Sequence, residues 1–134
     1  MAPSHSKPRL EEYRIACICP LYLEAAPLEA LLNEVYSSTA RSDTNSYTLG
    51  RIGEHNNVIA TMPGTGTNKA ALVAPQLLSD FKAIKYWFLV GIGGGVPSEE
   101  DDIRLGDIVV GLSKGSLSGV VEFKGERFIQ RGSH

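Results

Sequence analysis

Two glycine-rich turns are the places where this chain offers backbone to a ligand. In the first, the apolar run Tyr86-Trp87-Phe88-Leu89-Val90 opens into Gly91-Ile92-Gly93-Gly94-Gly95. Glycine admits positive φ and lets another group approach the main chain closely. Such a block at the end of a buried strand suits a ligand lying against the backbone, although a plain turn explains the glycines equally well. In the second, Pro63-Gly64-Thr65-Gly66-Thr67 leads from an apolar segment into a helical pattern. A turn that feeds a helix N-terminus suits an anion or a hydroxyl-rich molecule, and it is also an ordinary strand-to-helix connection.

Neither turn is one of the familiar phosphate loops. Gly91 and Gly93 satisfy G-x-G, but the third position is Val96 and Pro97 follows it. Proline drives the residue before it out of the α region, so no helix opens there and the dinucleotide fingerprint fails. No G-K-[ST] follows either. The polar segment after the glycines carries Glu99, Glu100, Asp101 and Asp102. Cys17 and Cys19 stand two apart in an apolar segment, which puts both on one face of a strand. His5, His55 and His134 are scattered, so these cysteines read as buried structural thiols and no metal site is expected.

Composition narrows the function class. The chain has 134 residues, enough for one domain with a core, and a net charge of −2. There is no basic stripe, which argues against a nucleic-acid partner. No apolar run approaches the ~20 residues of a membrane span, and the polar N-terminus lacks the apolar segment of a secretory signal. A cytoplasmic protein without a membrane partner is expected, with residues 1–12 a disordered tail.

The elements that must position these turns follow from periodicity. Residues 13–20 read as a first strand. Residues 21–35 form a helix region, with Leu28, Leu31, Leu32 and Val35 at the spacing of one buried face. Pro27 is tolerated in a first turn, so the helix proper is placed from about Ala26, with Glu24 in the preceding bend. Residues 36–46 are a polar loop. Residues 47–52 and 57–62 read as strands joined by the hairpin turn Gly53-Glu54-His55-Asn56. A second helix follows Thr67 or Asn68, its buried face marked by Ala74, Leu77, Leu78 and Phe81, with Pro75 inside it. Residues 86–90 read as a buried strand, Leu105-Gly106-Asp107 as a turn, 108–110 as a further strand, and 119–123 as another. The expected fold is α/β: a twisted mixed sheet with helices on its faces, and strands 13–19 and 86–90 in its interior. Two helices against about six strands leave sheet surface uncovered.

The ordered set GIGGG followed by IRLGDIVV resembles the purine and uridine phosphorylase family, which includes the related nucleosidases. The subtype it is most similar to is the fungal one found at the N-terminus of NLR-like receptor proteins. The resemblance runs from Tyr13 to the C-terminus. It implies a phosphorylase/hydrolase-like three-layer fold, of which residues 13–134 are the N-terminal half. It also implies a nucleoside ligand whose N-glycosidic bond the full-length protein cleaves. Glu24 matches the glutamate that activates water in the nucleosidases. Ile92, Gly93 and Gly94 match the segment along the ribose or phosphate. Gly64, Thr65 and Gly66 match a glycine turn near the sugar pocket. No cofactor is implied, with orthophosphate as a possible co-substrate.

The match has departures. Bacterial-type phosphorylases carry an arginine where Leu89 stands and a serine where Ile92 stands, both for phosphate, and a glycine near Cys19 and Pro20. Losing a charge-assisted contact favours hydrolysis, or binding without turnover, over phosphorolysis. In the family the base-binding residues, the group holding the ribose hydroxyls and the aspartate acid come from the later half. The chain alone is therefore expected to be inactive. It is also expected to form homo-oligomers or to pair with that half. The alternative is a non-catalytic module that senses a nucleoside or holds a partner.

Overall fold

The computed structural model describes residues 6–36, 46–62 and 67–116. They fall into two compact units, Met1–Gly93 and Gly94–His134.

The first unit is a five-stranded mixed sheet with one helix on each face. Its elements are β1 (Ile15–Cys19), α1 (Tyr22–Ala30), β2 (Glu34–Tyr36), β3 (Ser46–Ile52), β4 (His55–Thr61), α2 (Thr67–Asp80) and β5 (Tyr86–Leu89). The strand order is β2-β3-β4-β1-β5. β1 lies parallel to both of its neighbours, while β2, β3 and β4 form an antiparallel meander. The expected α/β fold with three layers is therefore present.

Alternation along β1 and β4 decides which helix covers which face. Cys17, Cys19 and Ile59 point to one side and bury against Ala25, Leu28 and Leu32 from α1 and the segment after it. Ala16, Ile18, Val58 and Ala60 point to the other and meet Val73, Leu77 and Phe81. A strand that feeds apolar side chains to both faces reads as a near-continuous apolar run, which is what IACIC is. Within the second cluster Phe81 makes edge-on contacts with Tyr13 and Tyr47, at centroid distances of 5.4 and 6.1 Å. Such aromatic pairs contribute beyond their buried area.

The hairpin between β3 and β4 is tighter than the sequence suggests. Ile52 pairs with His55, leaving Gly53-Glu54 as a two-residue loop. Gly53 has φ +60° and among the described residues no non-glycine residue has positive φ, so only the first loop position is left-handed. That is the type II′ pattern, in which glycine at the first position matches the twist of the strands.

Gly50 is constrained by space instead. A Cβ there would lie 2.7 Å from the Glu34 carbonyl oxygen and 2.7 Å from a Leu32 methyl. Glu34 is backbone of β2, which pairs with β3, and cannot move without loosening that pairing. Gly50→Ala should therefore lower stability by about 1–3 kcal/mol, as overpacking does, measurable as a reduced urea midpoint. An unchanged midpoint would show that β2 yields freely.

Several expectations need correction. Leu10–Glu12, expected within a disordered tail, forms a 3-10 turn, and Leu10 packs on the core. α1 starts at Tyr22, four residues before the position inferred from Pro27, which lies inside the helix. Proline there forgoes the bond to the Leu23 carbonyl. The helix also stops at Ala30, with its end tightened by Leu31 N–H and Leu32 N–H donating to the carbonyls of Leu28 and Glu29. Asn33 N–H then donates to Arg51 O at 2.7 Å, and β2 begins. Leu31 and Val35 are consequently exposed and do not continue a helical face. Val73 and Leu77 in α2 and Phe81 just after it are buried, whereas Leu78 is half exposed.

The largest correction concerns β5. It was expected inside the sheet, but it is the outermost strand, and Tyr86, Trp87, Phe88 and Leu89 are 60, 39, 49 and 69% exposed. An apolar run records that a strand wants cover, not which part of a protein supplies it. In the first unit, β1 and β4 take the covered positions.

In the second unit, residues 94–116 hold local turns. Asp101 N–H donates to Ser98 Oγ at 3.0 Å, and Arg104 N–H to Asp107 Oδ2 at 2.9 Å. Gly106, at φ +92°, makes the expected turn after Leu105. Residues 108–110 do not form the expected strand, and Ile108, Val109 and Val110 are exposed. The strand expected at 119–123 lies outside the described residues.

Candidate functional site

At the C-terminal end of β1 the chain turns through Pro20 into α1, and at the same end of its parallel neighbour β5 it runs into the glycine block. Parallel strands carry both exits to one edge of the sheet, which is where ligands collect in α/β folds. Val90 N–H donates to Ile18 O at 2.9 Å, extending the β1–β5 ladder up to the first glycine.

Glu24 joins the two exits. It is the third residue of α1, half-buried, and its Oε2 accepts the Leu21 N–H at 2.9 Å. That is the glutamate half of a capping box, satisfying an otherwise orphan donor where the helix dipole favours negative charge. Leucine has no side-chain acceptor, so the reciprocal half is absent. The other oxygen, Oε1, accepts the Ile92 N–H at 3.1 Å, across 68 positions of sequence. The carboxylate is thus held from both sides by main-chain donors. Each oxygen retains lone-pair capacity for a further donor, such as a water or a ligand hydroxyl.

Beneath this carboxylate lies Gly91. A Cβ there would sit 3.1 Å from Glu24 Oε1 and 3.5 Å from its Cδ. Gly93, by contrast, faces open space, with no heavy atom within 4 Å of a Cβ built on it. Leu21, Tyr22, Leu23 and Ile92, next to these groups in sequence, are apolar and exposed. A charged acceptor, the open space at Gly93 and exposed apolar neighbours together suit a small molecule with hydroxyls and a flat apolar part.

The structure therefore brings Glu24 together with Ile92, and places Gly93 next in the chain. Gly94 opens the second unit and also faces open space. Gly64, Thr65 and Gly66 lie outside the described residues. Sequence reasoning missed the main-chain N–H of Leu21 and the role of Gly91. The first was legible in principle, since a Leu-x-x-Glu start leaves a helix with a side-chain acceptor at its third position.

Below the site Cys19 is fully buried and Cys17 nearly so, and both thiols are free. Burial, then the nearby Cys17, Glu24 and Glu29, push the Cys19 thiol from 9.0 up to about 11. It stays neutral near pH 7 and is no nucleophile. At the opposite end of β1, burial lifts Tyr13 to about 12. Both groups have folded values above their unfolded ones. Their contribution is complete below about pH 9 and is lost as pH rises through 11 to 12. Melting temperature should fall over that window, and Cys19→Ala should flatten its lower part. An equally steep fall in Cys19→Ala would exclude this thiol as the cause.

A polar cleft of about 310 Å³ lies near that opposite end, lined by Ser6, Pro8, Glu12, Tyr36, Arg51, Glu54 and Asn56. It contains none of the residues nominated by sequence. Arg51 is already paired with Glu34 at 3.1 Å, and Tyr36 Oη donates to Glu34 Oε2 at 2.8 Å. Among the described residues no group of three or more His, Cys, Asp or Glu could hold a metal ion. Among them, too, no helix is long and apolar enough to cross a membrane.

No family model matches the chain. It is similar to a nucleotide-binding leucine-rich repeat (NLR)-like protein of Hyaloscypha variabilis, with 42% identity over 115 residues. The match spans 84% of this chain and 12% of that protein.

Proposed function

We propose that this chain is a nucleoside-binding module of an NLR-like protein, with its mouth at Glu24, Ile92 and Gly93. The observation that carries the reading is the Glu24 carboxylate meeting the glycine segment after β5. Both pieces are ones that the resemblance to the purine and uridine phosphorylases implies. The similarity to an NLR-like protein supports the receptor context. The resemblance of GIGGG and LGDIVV to the purine and uridine phosphorylases supplies the substrate class. In this reading the sugar lies along Ile92 and Gly93, and one of its hydroxyls, or a water, donates to Glu24.

Gly93 gives a clean test. Its surroundings are open and its φ is not left-handed, so Gly93→Val adds bulk on the ligand side without straining the fold. Calorimetric titration with adenosine, inosine, guanosine and uridine should show saturable binding of at least one to the wild-type chain. Gly93→Val should weaken it about 10-fold or more with an unchanged melting temperature. Binding indifferent to Gly93→Val would place the nucleoside elsewhere.

A second reading, cleavage of the N-glycosidic bond within a longer protein, is favoured by the held carboxylate of Glu24. Cleavage makes the sugar carbon cationic and the leaving base anionic. It needs an activated nucleophile on the sugar and an acid on the base. Glu24 supplies only the first. The chain alone should release no base above background, with or without phosphate.

The exposed apolar side chains of β5 support association with a second copy or with further sequence. Size-exclusion chromatography with light scattering should show dimers or larger species. A sharp monomer peak across concentrations would count against it.

A further inference from the structure

We propose that Gly91 is a positioning residue: a side chain there would crowd the Glu24 carboxylate, and glycine leaves it room. The inference rests on the nucleoside reading for its functional meaning, but its geometry stands by itself. Glu24 Oε1 lies 3.1 Å from where a Cβ at Gly91 would be, Cδ 3.5 Å and Oε2 3.9 Å. The same Oε1 accepts the N–H of the next residue, Ile92, at 3.1 Å, and Oε2 the N–H of Leu21 at 2.9 Å. Leu21 N–H, Ile92 N–H and the bare α-carbon of Gly91 therefore form a three-sided cradle for one carboxylate.

Glycine at this position is not explained by backbone conformation. Among the described residues the positive-φ glycines are Gly53, Gly106 and Gly115, and Gly91 is not one of them. Alanine can adopt its backbone angles, so the cost of a methyl there falls on the carboxylate. A carboxylate pushed outward loses the Ile92 bond first, because that bond and the contact share one oxygen. A hydrogen-bond donor of the ligand would then meet an acceptor that is displaced and free to rotate.

The test is amide hydrogen exchange by NMR on the 134-residue chain without ligand. Gly91→Ala should speed exchange at Ile92 about 10-fold or more, the scale of one charge-assisted hydrogen bond, and shift the Glu24 carboxyl carbon. Amides of β1 and β4 should keep their rates, which a general loss of structure would not allow. Glu24→Ala should speed Ile92 and Leu21 together. The double variant should show no more at Ile92 than Glu24→Ala alone, since both act through one contact. An unchanged Ile92 amide in Gly91→Ala, or effects that add in the double variant, would overturn the proposal. Glu24→Ala decides the cradle even if Gly91→Ala fails to fold: an unmoved Ile92 amide overturns it. Nucleoside titration separates the two readings. A wild-type chain that binds none overturns the nucleoside reading and leaves the cradle to the exchange data.

Discussion

Glu24→Gln should reduce nucleoside hydrolysis by about 10²–10⁴-fold, the usual worth of a positioned acid or base. The assay requires a chimera in which the chain is continued past His134 by the sequence of its Hyaloscypha relative. Glutamine preserves shape but cannot take a proton from water. Its amide nitrogen would also face one of the two N–H groups that now meet carboxylate oxygens, those of Leu21 and Ile92. Nucleoside binding should stay within a few-fold, so the loss should appear in kcat. Added phosphate should change the rate little if the proposed resemblance holds, since it sets Leu89 and Ile92 where phosphorylases of the bacterial type carry arginine and serine. If Glu24→Gln leaves kcat untouched while phosphate speeds base release many-fold, the protein is a phosphorylase that found other ligands for its anion.

Phe81→Ala should cost about 3–5 kcal/mol of folding free energy. Phe81 is 4% exposed and closes the cluster on the α2 face of the sheet, edge-on to Tyr13 and Tyr47. Removing it opens a cavity whose walls are rings and strand side chains that cannot collapse inward. Leu72→Ala, on the exposed side of α2, should stay within about 0.5 kcal/mol. Chemical denaturation of the two variants checks both values. Equal effects would mean that α2 does not bury the face described.

Both predictions draw on patterns that were partly visible in the residues alone. The apolar run of β1, the hairpin around Gly53 and the stripe of α2 were legible because each follows from a local pattern. The start of α1 was not. Pro27 argued for a later start, yet the Leu21 N–H finds its acceptor in Glu24. A local cap three residues on outweighs the proline rule here. The edge position of β5 was also hidden, since an apolar strand looks the same whether or not a neighbour covers it. Of the site, Glu24 and the glycine block were each identified, but their meeting is a tertiary fact. It arises because β1 and β5 run parallel and end together. The space reason for Gly91 was equally invisible, because sequence suggests conformational freedom for any glycine, and only coordinates show what its Cβ would strike.

The most direct measurement of the central claim is a ¹H–¹⁵N NMR titration of the 134-residue chain with adenosine, inosine, guanosine and uridine. The account predicts that at least one moves the amides of Leu21, Glu24, Ile92 and Gly93 along saturable paths. Those of Glu12, Arg51 and Asn56, at the opposite end of β1, should stay still. Saturable shifts confined to that opposite end, or no shifts with any of the four nucleosides, would contradict it.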